Sequence, residues 1–185
     1  NPEKHILQSA ASMIMKADQF DIARVGISLF GYWPSRESRI SAKLMTKDSL
    51  ELKPSLTWKS KTQAVKQVSR GSYIGYGCTY RCERDSTIAL VPVGYFDGYP
   101  RILSGKAHVL VQGKRCKVLG RVMMNHFIID VSEVSRQESP LDVVLLGQDE
   151  NERVSAEMLA DWAGTINYEI LACLGPHLKR VVVTE

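Results

Sequence analysis

The sequence predicts a mainly β domain with a small helical insert near its end, preceded by a short α/β opening. Three observations carry this. Four stretches between Leu56 and Val134, LTWKSKTQAVKQV, STIALVPVGY, KAHVLVQGKRCKVLG and HFIIDVSEV, are rich in β-branched residues and read as strands. A fifth, LDVVLLG, is an apolar run between Pro140 and Gly147 and reads as a buried strand. Downstream, VSAEMLADWAGTINYEILACLGP turns helical.

The elements follow in order. QSAASMIMKAD combines small and apolar residues without a breaker, which predicts a short helix. IARVGISLFG is an apolar run broken by Gly26 and closed by Gly31 and Pro34. The stretch Tyr32–Lys53 joins this opening to the β domain. Gln112-Gly113 marks a hairpin inside the third strand region. Ser155 is an N-cap with Glu157 in the first helical turn, Gly164 interrupts the helix, and Gly175-Pro176 stops the second piece. KRVVVTE predicts a last strand. There are no internal repeats and no low-complexity linker.

SYIGYGCTY, Ser72–Tyr80, places three tyrosines and two glycines in nine residues. Glycine weakens a strand but permits a sharp path and close approach. Tyr76, between Gly75 and Gly77, is therefore either a packing residue at a bend or a hydroxyl presented to another molecule.

Composition excludes several classes. With 44% hydrophobic and 24% charged residues, the chain has enough apolar material for a core, which rules out disorder. The net charge of +4 is uneven: Arg36–Arg70 is basic and Arg121–Ile170 acidic. The basic residues alternate with Leu56, Trp58, Val65 and Val68, so they are read as the wet face of strands rather than as a nucleic-acid surface. Cys78, Cys82, Cys116 and Cys173 lack metal-ligand spacing and are read as free thiols in a reducing compartment, the cytoplasm. His5, His108, His126 and His177 lie in strand patterns or after the Gly-Pro stop, and imply neither a catalytic role nor a metal site. No signal peptide or membrane-length apolar run is visible. The chain opens on NPEKHILQ without a methionine, which leaves room for a longer natural protein.

HILQSAAS, ARVGISLFGYWPS, YIGYGCTY, VPVGYFDGYPR, GRVMMNHFIIDV and GTINYEI occur in the order and at the spacing of alanine racemases. The chain resembles that family over nearly its whole length. The resemblance implies pyridoxal 5'-phosphate as cofactor, an N-terminal (β/α)8 barrel, a C-terminal β domain and a head-to-tail homodimer with shared active sites. Residues 1–33 would then be the last strand-helix elements of the barrel, with its phosphate loop, and residues 34–185 the C-terminal β domain. The bulk of the barrel is absent from this chain. So is the family's cofactor lysine, which lies in a Lys-Ala-Asp-x-Tyr-Gly motif near the N-terminus. MKADQF imitates that motif at Lys16, but Lys16 stands only eight residues before Arg24 and lacks the Tyr-Gly. It is read as a solvated helix lysine.

The same resemblance assigns roles. Racemisation removes the α-proton from one face of the substrate and delivers another to the opposite face; the family uses the lysine and a tyrosine, and the tyrosine maps to Tyr76. A free phenol titrates near pH ~10 and is a poor base unless positive charge favours its ionised form. Arg24 would face the pyridine nitrogen of the cofactor; a guanidinium only donates, so that nitrogen stays unprotonated. Gly26 and Ile27, at the start of a short helix, would offer backbone N–H groups to the phosphate, Ser9 a hydroxyl, and Tyr168 a second hydroxyl. Met124 and Asn125 would belong to a loop whose backbone N–H binds the substrate carboxylate. Many relatives have Cys-Met-Asp where this chain has Met123-Met124-Asn125, so alanine over serine is not assured. Tyr95 and Arg101 would line the corridor to the site, Arg101 attracting the carboxylate. The resemblance also implies a role in D-alanine supply for bacterial peptidoglycan. The alternatives are a serine or broad-specificity racemase of the same family, or, for the isolated chain, a non-catalytic β domain that dimerises. Neither nucleic acid nor membrane is expected as a partner.

Overall fold

The structure, a computed structural model, describes residues 2–15, 20–45 and 50–183. It forms two compact units, residues 1–56 and residues 57–185. Lys16 lies outside the described residues.

The smaller unit begins with β1 (Leu7–Gln8), α1 (Ser9–Ile14) and β2 (Ala23–Arg24). The two strands pair in parallel, Leu7 with Ala23 and Gln8 with Arg24, so the helix is a crossover between parallel strands. The helix predicted at QSAASMIMKAD is present over Ser9–Ile14 and is capped at Met15; Lys16–Asp18 of that stretch lie outside the described residues. Its N-cap is Gln8, whose side chain accepts the Ala10 N–H at 2.7 Å. β2 leads into a 3₁₀ turn, Ile27–Phe30, closed by Gly31 in the left-handed region at φ 76°.

The stretch after Pro34 departs from the sequence reading. Arg36–Met45 is a helix, α2, and not the wet face of a strand. Ser35 Oγ accepts the Ser38 N–H at 3.1 Å and Ser38 Oγ bonds back to Ser35, a reciprocal cap that satisfies the first helical donors. Ser38 and Ala42, four apart, face inward, and Glu37 occupies the first turn.

The larger unit is built on an eight-stranded antiparallel sheet. Its strands are β3 (Trp58–Lys61), β4 (Ala64–Val68), β7 (Ser86–Val91), β8 (His108–Val111), β9 (Lys114–Leu119), β10 (Phe127–Asp130), β11 (Asp142–Asp149) and β12 (Glu152–Val154). The path runs β12-β11-β8-β9-β10-β7-β4, with β3 also on β11. The run predicted as one strand, 56–68, is therefore two: β3 pairs with β11 and β4 with β7. The break is at Thr62, which is buried and donates its N–H to Leu141 O while its Oγ1 accepts the Leu141 N–H. One continuous stretch thereby ties two distant parts of the sheet together. The predicted hairpin turns at Gln112-Gly113, both at positive φ, between β8 and β9.

Alternation in β7 places Thr87, Ala89 and Val91 inward. They join Val109, Val111, Leu119, Phe127, Ile129, Leu145 and Leu146 in the core, where each Val, Leu, Ile or Phe side chain contributes roughly 1.5–3 kcal/mol by burial. α3 (Ala156–Ala163) and α4 (Asn167–Ala172) are the helical insert. Ser155 caps α3 by accepting the Met158 N–H at 3.3 Å, and Gly164 ends it in the left-handed region. The last strand predicted at KRVVVTE is not formed over residues 179–183, where Val181–Val183 are exposed and join no sheet. A β-branched run favours extended backbone, but a strand needs a neighbour to bond to.

Candidate active site

A short hairpin, β5 (Tyr73–Ile74) and β6 (Tyr80–Arg81), projects from the sheet and carries Tyr76 at its tip. The base is held by burial: Ile74 packs with Cys82 and Leu119, flanked by Val68, Tyr80, Ile88 and Ile128. The tip is a 3₁₀ turn, Tyr76–Cys78, entered at Gly75 (φ 73°) and kinked at Gly77 (φ 72°). Both glycines occupy backbone that L side chains avoid, so the Gly-Tyr-Gly spacing bends the chain sharply around Tyr76. The tyrosine is 71% exposed. The Tyr76 ring is therefore not packed at the bend among the described residues.

Tyr76 borders a cleft of about 480 Å³ lined also by Tyr95, Arg101, Arg121, Met123, Met124, Asn125 and His126. The residues singled out as Tyr76, Tyr95, Arg101, Met124 and Asn125 thus converge, although they are spread along the chain from the hairpin tip to the β9–β10 connection. Tyr95 lies in a 3₁₀ turn, Tyr95–Asp97, whose N–H groups at Tyr95 and Phe96 donate to Met123 O and Met124 O at 3.0 Å each. Met123 N–H is taken by His126 O at 2.8 Å. The Met124 and Asn125 N–H groups have no acceptor among the described residues. Two cationic side chains and two free amides in one concavity suit a carboxylate.

Arg121 and His126 were not singled out from the sequence for this cleft. The Arg121 guanidinium lies against the hairpin tip, where a Cβ on Gly77 would stand 3.4 Å from its Cζ. His126 Nε2 bonds to Gln63 Oε1 at 3.1 Å. The available signal was adjacency: both flank the Met123–Asn125 motif in GRVMMNH.

Ser9, Arg24, Gly26 and Ile27 form a separate group in the smaller unit. Ser9 is buried as the first residue of α1, and its Oγ accepts the Gly26 N–H at 2.9 Å. Arg24 Nε donates to His5 O at 3.2 Å, fixing the guanidinium at the end of β2. The Ser9 hydroxyl proton, the Ile27 N–H and the outer nitrogens of Arg24 meet no acceptor among the described residues. Such a donor set without acceptors fits an anionic phosphate and a ring nitrogen that only accepts. Tyr168, in the first turn of α4, is 38% exposed, and burial raises its hydroxyl above the usual phenol range. It stays protonated and can donate. Among the described residues no group of three or more His, Cys, Asp and Glu side chains could hold a metal ion, and no helix is long and apolar enough to cross a membrane. The four cysteines are unpaired; burial first, then Asp130 and Glu133, push the Cys116 thiol up to about 12.

The family described as alanine racemase, C-terminal domain, matches residues 55–182, which is almost the whole larger unit. The chain belongs to this family. The alanine racemase of Leptospira interrogans is 38% identical over 180 residues, covering 97% of this chain and 46% of that protein. Among solved structures, the alanine racemase of the D-cycloserine producer Streptomyces lavendulae superposes with a TM-score of 0.86 at 35% identity, over 100% of this chain and 47% of that one. The Bacillus anthracis alanine racemase with bound L-Ala-P superposes with a TM-score of 0.82 at 36% identity, covering 92% and 42%. The chain therefore spans less than half the length of these relatives. Alanine racemase C-terminal domains are thus the frame for the mainly β architecture, with its one large antiparallel sheet and few helices.

Proposed function

We propose that this chain is the C-terminal portion of a pyridoxal-phosphate-dependent alanine racemase that interconverts L- and D-alanine by two-base proton transfer. The observation that carries the reading is the convergence of an exposed, glycine-framed Tyr76 with two arginines and two unpartnered amides in one cleft. The smaller unit contains the proposed barrel end, residues 1–33, and residues 34–185 are taken as the C-terminal β domain.

Pyridoxal phosphate, when bound, supplies an electron-withdrawing ring that spreads the charge left at Cα. The residues of this chain do the rest. The Ser9 hydroxyl and the Ile27 N–H would hold the phosphate, while the Gly26 N–H, already donated to Ser9 Oγ, keeps that hydroxyl in place; the Tyr168 hydroxyl is the further phosphate donor that the family resemblance assigns. Arg24 would face the pyridine nitrogen of the cofactor, and since a guanidinium only donates, that nitrogen would accept and stay unprotonated. The Met124 and Asn125 amides orient the substrate carboxylate, which Arg101 and Arg121 attract into the cleft and Tyr95 walls from water. Tyr76 Oη takes or returns the α-proton on one face. The base on the opposite face, a lysine in the family, is not among these residues, so these 185 residues alone are expected to be inactive; the family resemblance implies a homodimer with shared sites as the working form. The same reading implies the bacterial cytoplasm as its compartment and the supply of D-alanine for peptidoglycan as its role, in keeping with four unpaired cysteines.

An uncharged Asn125 beside the substrate favours one second reading, a serine or broad-specificity racemase. The test is turnover of L-alanine and L-serine by the full-length protein with pyridoxal phosphate. Formation of D-alanine faster than D-serine is expected. Comparable rates would establish the broader specificity, and no turnover of either would end the racemase reading.

A further inference from the structure

The loop Gly94–Gly98 brings Tyr95 to the cleft, and it is gripped from two sides. On one side it holds the Met123–Asn125 segment through the two N–H···O bonds from Tyr95 and Phe96. The contact is close enough that a Cβ on Gly94 would meet both Met123 O and Met124 O at 2.2 Å. A trans peptide points its carbonyl and its N–H in opposite directions. Holding the Met123 and Met124 carbonyls toward the loop therefore turns the Met124 and Asn125 N–H groups away from it, as a pair.

On the other side the loop meets the segment that leaves α4. A Cβ on Gly98 would meet Cys173 O at 2.2 Å, and the Gly175 N–H donates to Asp97 O at 3.0 Å. The Asp97 carboxylate lies between the two sides. Its Oδ2 accepts the Gly94 N–H at 2.8 Å, and its Oδ1 lies 2.9 Å from His177 Nε2. An ionised carboxylate only accepts, so Nε2 carries the proton in this bond. The Asp97 side chain is only 15% exposed, and the His177 ring stacks on Phe96 with centroids 4.9 Å apart. Arg180 fixes the turn that bears His177 by donating to the carbonyls of Leu174, Gly175, Pro176 and Leu178 at 3.3–3.4 Å.

We propose that His177 is a positioning residue for substrate binding. Through Asp97 it locks the Gly94–Gly98 loop, and the loop fixes the orientation of the Met124 and Asn125 amides. This rests on the reading of the cleft as a carboxylate site. The histidine touches neither substrate nor cofactor; it sets how rigidly the amides are presented before substrate arrives.

The test uses the full-length protein with pyridoxal phosphate. His177→Phe keeps a ring against Phe96 and removes the donor; His177→Gln restores a donor and removes the ring. His177→Phe is expected to raise KM for alanine about tenfold at nearly unchanged kcat, the scale of a hydrogen bond to a charged group, and His177→Gln to recover most of that loss. Asp97→Asn gives an independent route, because its effect on KM must not add to that of His177→Phe if both act on one bond. A parental KM in His177→Phe, equal damage in the Gln variant, or additive effects would overturn the proposal while the parent's turnover leaves the cleft reading intact. A parent without turnover of alanine would overturn the cleft reading itself.

Discussion

Tyr99 lies fully buried, stacked on Phe127 at 4.7 Å between centroids and edge-on to Trp58 at 6.1 Å, and its hydroxyl has no hydrogen-bond partner among the described residues. Burial pushes that hydroxyl well above the usual phenol range, so it stays neutral at every physiological pH. An orphaned buried hydroxyl costs about 1–3 kcal/mol of desolvation. Tyr99→Phe keeps the ring packing and removes the orphan, so it should stabilise the protein by about 1 kcal/mol in side-by-side chemical unfolding. A loss of stability would mean that the hydroxyl has a partner. Tyr76 is exposed instead; the bend around it was legible from Gly75 and Gly77, but whether the ring packs there was left open by the sequence. Arg121 was not legible as its neighbour: it lies far along the chain, and only the packing of the hairpin base on Leu119 brings it to the tip.

At the level of elements, local signals were read well where the physics is local. Ser155 caps α3 and Gly164 ends it, both as the residue types require. Ser155→Ala should destabilise the protein by about 1 kcal/mol, and Ser155→Asp should restore most of that loss; both are measured by thermal unfolding. α2 was missed because its basic residues were grouped with the alternating strands that follow, although Pro34-Ser35 with Glu37 is itself a helix start. The reverse error, a strand at KRVVVTE, arose because β-branched residues state a backbone preference and not a partner. Likewise, nothing in LTWKSKTQAVKQV says that its two halves bond to different strands. Thr62 marks the switch only once Leu141 is seen against it.

In the larger unit, one antiparallel sheet carries the loops that line the cleft. The β architecture could be read from alternation and turn residues. The cleft could not, because its walls come from the β5–β6 tip, the loop after β7 and the β9–β10 connection, which meet only through sheet topology. Motif order compensated, since it named Tyr76, Tyr95, Arg101, Met124 and Asn125 before any contact between them was visible. The central claim is that Tyr76 is one of two bases. Its most direct test is α-proton exchange in heavy water by the full-length protein and its Tyr76→Phe variant, started separately from L-alanine and D-alanine. The account predicts exchange from both enantiomers in the parent, and in the variant a loss of about 10²–10⁴-fold from the L side with partial exchange kept from the D side. Equal, parent-like exchange from both enantiomers in the variant would contradict it.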